Sequence, residues 1–90
     1  MKFEWDETKR LINIAQHGID FNDAVALFDG RPLLLVPGTF RGEERHLVIG
    51  ELEGRMVAAV WTWREDSIRL ISVRSARHGE RRDYHAHYAR

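Results

Sequence analysis

Ninety residues, 43% of them hydrophobic and 31% charged, suit one modest core and a single domain spanning 1–90. Fourteen basic and fourteen acidic residues cancel, and there is no cysteine, so disulfide and thiol chemistry are excluded and the cytosol is the expected compartment. No apolar run approaches the ~18 residues of a membrane span, and the opening residues carry no secretion-signal stretch, so no membrane role is expected.

Residues 2–5 read as a short strand. Asp6 is placed to cap a helix, with Glu7 in its first turn and Leu11, Ile14 and Ala15 at helical spacing. His17-Gly18 stops it. Asp20 caps a second helix with the stripe Phe21, Ala24, Val25, Phe28, closing a tight helical hairpin. Residues 33–36, between Pro32 and Pro37, predict an edge strand. Strands over 44–52 and 55–64 flank the turn Glu53-Gly54, and Glu65-Asp66 turns into a strand over 67–77. A helix over 80–88 ends the chain. The order β-α-α-β-β-β-β-α predicts an α+β fold, a helical hairpin packed on an antiparallel sheet.

The charge is unevenly spread. Residues 1–30 hold three basic against six acidic side chains, whereas 67–90 hold six arginines against two acids. A basic end on a neutral chain suggests a local anion site, and the plain alternative is a solvated basic surface. Two-residue hairpins predict the pairing. Arg45 would face Thr62, Thr62 would face Arg69, and Glu43 would face Arg64. Arg45, Arg64 and Arg69 then converge on one corner, a good phosphate receptor. The same register puts Val48, Trp61, Trp63, Ile68, Leu70, Arg74 and Ala76 on the other face. A bulge would flip a strand's side chains, and one between Ser72 and Arg77 would bring Arg74 across. The tryptophans are expected in the core; one exposed beside arginines would instead stack an RNA base. A further alternative makes the arginines a salt-bridge network with the acids of residues 1–30.

No cofactor or metal site is expected. His85 and His87 are spaced i, i+2 and do not share a helix face, and no histidine pair at i, i+4 exists to suggest zinc. Glu43 and Glu44 point to opposite faces of a strand and form no facing dyad. His17 is either a helix-dipole partner or a proton carrier. His46 and Glu44 follow it as proton-carrier candidates.

These residues also carry a family likeness. The chain resembles BrnT, the toxin half of a bacterial type II toxin–antitoxin pair. The likeness runs through Phe3-Glu4-Trp5-Asp6, Lys9, Asn13, His17-Gly18-Ile19, Phe21, Ala24, Phe28-Asp29, Glu44-Arg45 and Ile49-Gly50. It is best in Arg64, residues 68–76 and Glu80-Arg81-Arg82-Asp83-Tyr84. The resemblance implies a RelE-like ribonuclease fold and RNA cleavage that inhibits translation. It implies neutralisation by a BrnA-like ribbon-helix-helix antitoxin, with operator DNA bound only through the complex, as a dimer or a heterotetramer. It adds Arg74 to the expected catalytic set of Arg45, Arg64, Arg69 and His17. The terminal helix of the family ends sooner than the stretch His85-Ala86-His87-Tyr88-Ala89-Arg90 allows here. The competing class is a non-catalytic module that holds nucleic-acid phosphate or a partner.

Overall fold

The computed structural model describes residues 1–40 and 43–89, with the backbone alone for 37–40 and 43. The elements are β1 (Lys2–Glu4), α1 (Glu7–His17), α2 (Phe21–Ala24) with a 3₁₀ turn (Val25–Phe28), β2 (Leu34–Phe40), β3 (Glu43–Leu52), β4 (Arg55–Arg64), β5 (Ser67–Ser75) and α3 (His78–Tyr88). The Asp6 carboxylate accepts from the Thr8 and Lys9 amides at 2.8 and 3.2 Å, which starts α1. Gly18, at φ 68°, ends it in the left-handed conformation that glycine enters without steric cost. Arg10 joins the hairpin by bonding Asp20, the cap of α2, at 3.0 Å. After Ala24 the chain tightens into 3₁₀ geometry instead of continuing the expected α-helix.

The sheet order is β1-β5-β4-β3-β2. Strands β2 to β5 are antiparallel, but β1 runs parallel to β5, so the sheet is mixed rather than wholly antiparallel. The 3–4 turn uses positive φ at both Glu53 and Gly54, the geometry that matches strand twist in a two-residue hairpin. β2 extends beyond the expected 33–36 through Pro37 to Phe40. An edge strand accepts proline because one side of it needs no ladder partner.

One face of the sheet (Val48, Leu52, Val57, Ala59, Trp61, Ile68, Leu70, Val73) packs against Ile19, Phe21, Ala24 and Leu27. The other carries a smaller cluster of Ile49, Ala58 and Ala76, over which α3 brings Tyr84. Tyr84 and Tyr88 of α3 donate to the Pro32 and Leu33 carbonyls, so the helix continues in order to Tyr88. α1 lies along β5, where β1 has already ended. There Asn13, only 4% exposed, replaces a strand. Its amide donates to the Val73 carbonyl at 2.9 Å and accepts the Val73 N–H at 3.0 Å, and it also donates to the Ile19 carbonyl at 2.9 Å.

β5 contains one extra residue. Thr62 faces Arg69 and Trp61 faces Leu70, but Val60 faces Ser72 and Ala58 faces Arg74. β4 pairs with β3 without interruption, so the extra residue is Ile71 on β5. This corrects the simplest register. Arg74 and Ala76 lie on the face of Ala58, not with Trp61 and Leu70. The bulge falls at Ile71, ahead of the expected window of 72–77.

Candidate functional site

The register assembles a polar row across the sheet. Glu4 of β1 pairs with Arg69 of β5, which pairs with Thr62 of β4. Continuing the β3–β4 register by one residue puts Arg45 opposite Thr62, and on its far side Arg45 pairs with Gly38 of β2. Directly opposed residues share a face. Glu4, Arg69, Thr62 and Arg45 thus form one line, about 14 Å long at the strand spacing. Thr62 is buried and donates to the Glu44 carbonyl at 2.8 Å, which ties β3 to β4 at that point. Arg64 lies two residues beyond Thr62 on the same face, beside the 4–5 turn, and is exposed.

Arg69 and Arg74 are each engaged by a carboxylate. Arg69 donates to Glu4 at 2.6 Å, which is one bond of the salt-bridge network considered from sequence. Arg74 donates through both terminal nitrogens to Glu80 of α3, at 2.7 and 2.9 Å. Among the described residues Arg64 makes no ion pair or hydrogen bond. The expected pairing of Glu43 with Arg64 concerns a side chain outside the described residues. Arg74 shares the face but not the corner: Ala58, its partner, is four residues from Thr62 along β4, about 13 Å.

Glu80 is held three ways, because it also accepts the Arg77 amide at 2.8 Å at the start of α3. The Arg74 guanidinium, helped by that amide, holds the Glu80 carboxyl down at about 2. The folded value lies below the ordinary 4.5. Its stabilisation is therefore present above pH 4.5 and drains away as pH falls towards 2. Glu80→Gln should cost about 1–2 kcal/mol at neutral pH, allowing for solvent screening, and should flatten this acid limb in a stability-versus-pH series.

The expected proton carriers fall elsewhere. α1 leaves Glu4 and passes Asn13 beside Val73, so it runs away from the corner. His17 at its far end is about 16 Å of helix beyond Asp6 and does not join Arg45, Arg64 and Arg69. His46 pairs with Trp61 and stacks on its ring, on the opposite face from Arg45. Glu44, two residues before His46, shares that opposite face. The carboxylates that do meet the arginines are Glu4, one of the acids of residues 1–30 in the salt-bridge alternative, and Glu80, which that alternative does not include. The meeting of Glu4 with Arg69 follows only from placing β1 beside β5 in parallel. Among the described residues no group of three His, Asp or Glu side chains is placed to hold a metal ion, and no helix is long and apolar enough to cross a membrane.

Residues 5–80 match the family of the ribonuclease toxin BrnT of type II toxin–antitoxin systems. The chain belongs to the BrnT family. No curated protein matches it in sequence. The matched span takes in Arg45, Arg64, Arg69, Arg74 and Glu80, with Glu4 just outside. Membership of a type II system makes an antitoxin the partner of this BrnT toxin.

Proposed function

We propose that this BrnT-family chain is an endoribonuclease that cleaves RNA without a metal ion and thereby inhibits translation. The observation that carries this is the arginine face: the register and the Ile71 bulge bring Arg45, Arg64, Arg69 and Arg74 to one side of a rigid sheet. In the reaction, the ribose 2′-oxygen attacks the adjacent phosphorus and gives up its proton. The bond from phosphorus to the 5′-oxygen breaks, and that oxygen takes a proton. Arg45, Arg64 and Arg69 surround the position of the phosphate, where fixed donors stabilise the charge that develops. Glu4, in line with Arg69, is the carboxylate on this face that receives the 2′-OH proton. It takes the place expected of His17, His46 or Glu44. Arg74, clamped by Glu80, binds a neighbouring phosphate along the RNA.

In this reading residues 1–90 are one RelE-like domain working in the cytoplasm. Its antitoxin is BrnA-like, with a ribbon-helix-helix part that brings operator DNA to the complex. A second reading, a phosphate-binding module without cleavage, draws on Arg69 and Arg74, whose guanidinium groups Glu4 and Glu80 already engage. Incubating the purified protein with single-stranded RNA in EDTA separates the two. Cleavage at undiminished rate supports the enzyme, whereas salt-sensitive binding without products supports the module.

A further inference from the structure

We infer that Trp63, backed by Trp61 and His46, is a base-stacking subsite for single-stranded RNA, placed beside the arginine corner; the inference rests on the RNA-cleaving reading above. Trp63 is 51% exposed, although the other aromatic rings on its face of the sheet are buried or half-buried. It is not an isolated surface ring. Phe3 contacts Phe28, Phe28 contacts Trp61, and Trp61 contacts both His46, stacked at 4.5 Å, and Trp63, edge-on at 5.3 Å. The exposed indole is therefore held by a continuous line of rings running back into the core, so ordering it on binding costs little rotamer freedom.

The neighbours of Trp63 point to nucleic acid. At this end of the sheet, successive residues on two adjacent strands alternate a guanidinium on one face with a ring on the other: Arg45 and His46 on β3, Trp63 and Arg64 on β4. A single strand of RNA turning round the 4–5 hairpin meets Arg64 with its phosphate and Trp63 with a base. Cationic tracking of the backbone combined with ring stacking is the common solution for binding unpaired nucleic acid, and it tolerates any base. The ring cluster behind Trp63 is also imperfect as a core. The Trp61 indole N–H is buried with no acceptor among the described residues, and such unmet donors concentrate where function overrides packing.

The test uses tryptophan fluorescence of the full chain, with a short single-stranded oligoribonucleotide, made cleavage-resistant by 2′-deoxy substitution, as one probe and its abasic counterpart as the other. The base-bearing probe should quench the exposed indole; the abasic probe should bind more weakly and quench little. Trp63→Ala should remove the quench and weaken binding roughly 5- to 150-fold, the range set by one stacked base, with Trp63→Phe restoring part of the affinity. On cleavable RNA, KM should rise in Trp63→Ala with kcat largely kept. Equal affinity of the native protein for both probes, or unchanged KM in Trp63→Ala, overturns the subsite while leaving cleavage intact. Quenching without cleavage of unmodified RNA supports the subsite and sinks the catalytic reading instead. If Trp63→Ala weakens antitoxin binding and leaves RNA affinity untouched, the ring is a protein contact and the inference is wrong.

Discussion

Arg64→Ala is expected to abolish RNA cleavage and growth inhibition without disturbing the fold or the hold of the antitoxin. The reason lies in its surroundings. Arg64 is exposed, on the corner with Arg45 and Arg69, and among the described residues it donates to nothing within the protein. Its removal should change stability by no more than about 0.5 kcal/mol, the usual range for a surface substitution. The lost donors, aimed at charge that develops only in the transition state, should cost about 10²–10³ in kcat. The check is a cleavage time course beside a thermal melt and a pull-down with the antitoxin. An active Arg64→Ala protein removes this corner from the chemistry. Arg69→Ala and Arg74→Ala are less clean, because each also strands a carboxylate, Glu4 or Glu80. Arg74→Ala should likewise lose toxicity, but with a lower melting temperature that Arg64→Ala does not share.

Asn13→Ala should be the most destabilising single substitution on α1. Where β1 stops, the outer edge of β5 would leave Val73 with an unmet N–H and C=O. The Asn13 amide supplies both partners, and its second donor hydrogen reaches the Ile19 carbonyl between the two helices. Alanine leaves three buried backbone groups without partners, and each such loss costs about 1 kcal/mol or more. A total near 3 kcal/mol corresponds to a fall of about 12–24 °C in Tm for a domain of this size. Asn13→Asp keeps the acceptor for the Val73 amide but loses both donors, and should rescue little. A melt shifted by only a degree or two in Asn13→Ala would show that water replaces the amide and that the edge of β5 needs no side-chain strand.

The strand pairs were legible in sequence because hairpin chemistry is local. Glu53-Gly54 sets a two-residue turn, and the Thr62–Arg69 opposition then follows by counting. Asp6, Gly18 and Asp20 likewise mark helix ends through bonds within a few residues. Other features lie beyond such counting. No glycine marks the bulge at Ile71, and its one local trace is a change of phase, the apolar alternation of Ile68 and Leu70 resuming as Ile71 and Val73. The parallel pairing of β1 with β5 joins residues some 65 positions apart in the chain, and it alone brings Glu4 to Arg69. His17 was attractive as a residue type, but the direction of α1, set by Glu4 at one end and Asn13 further on, carries it away from the corner. The face carrying the arginines can be half-read from the chain; of the carboxylates that meet them, Glu4 falls among the acids of residues 1–30 expected to pair with arginine and Glu80 does not.

The most direct measurement is cleavage of a defined single-stranded RNA in EDTA, compared with the same RNA carrying a 2′-deoxy sugar at the cut position. Attack by the 2′-oxygen predicts full activity on the first, products ending in a 2′,3′-cyclic phosphate, and no cut at the substituted position. Cleavage of the deoxy-substituted position, or activity that EDTA abolishes and added metal restores, would contradict the account.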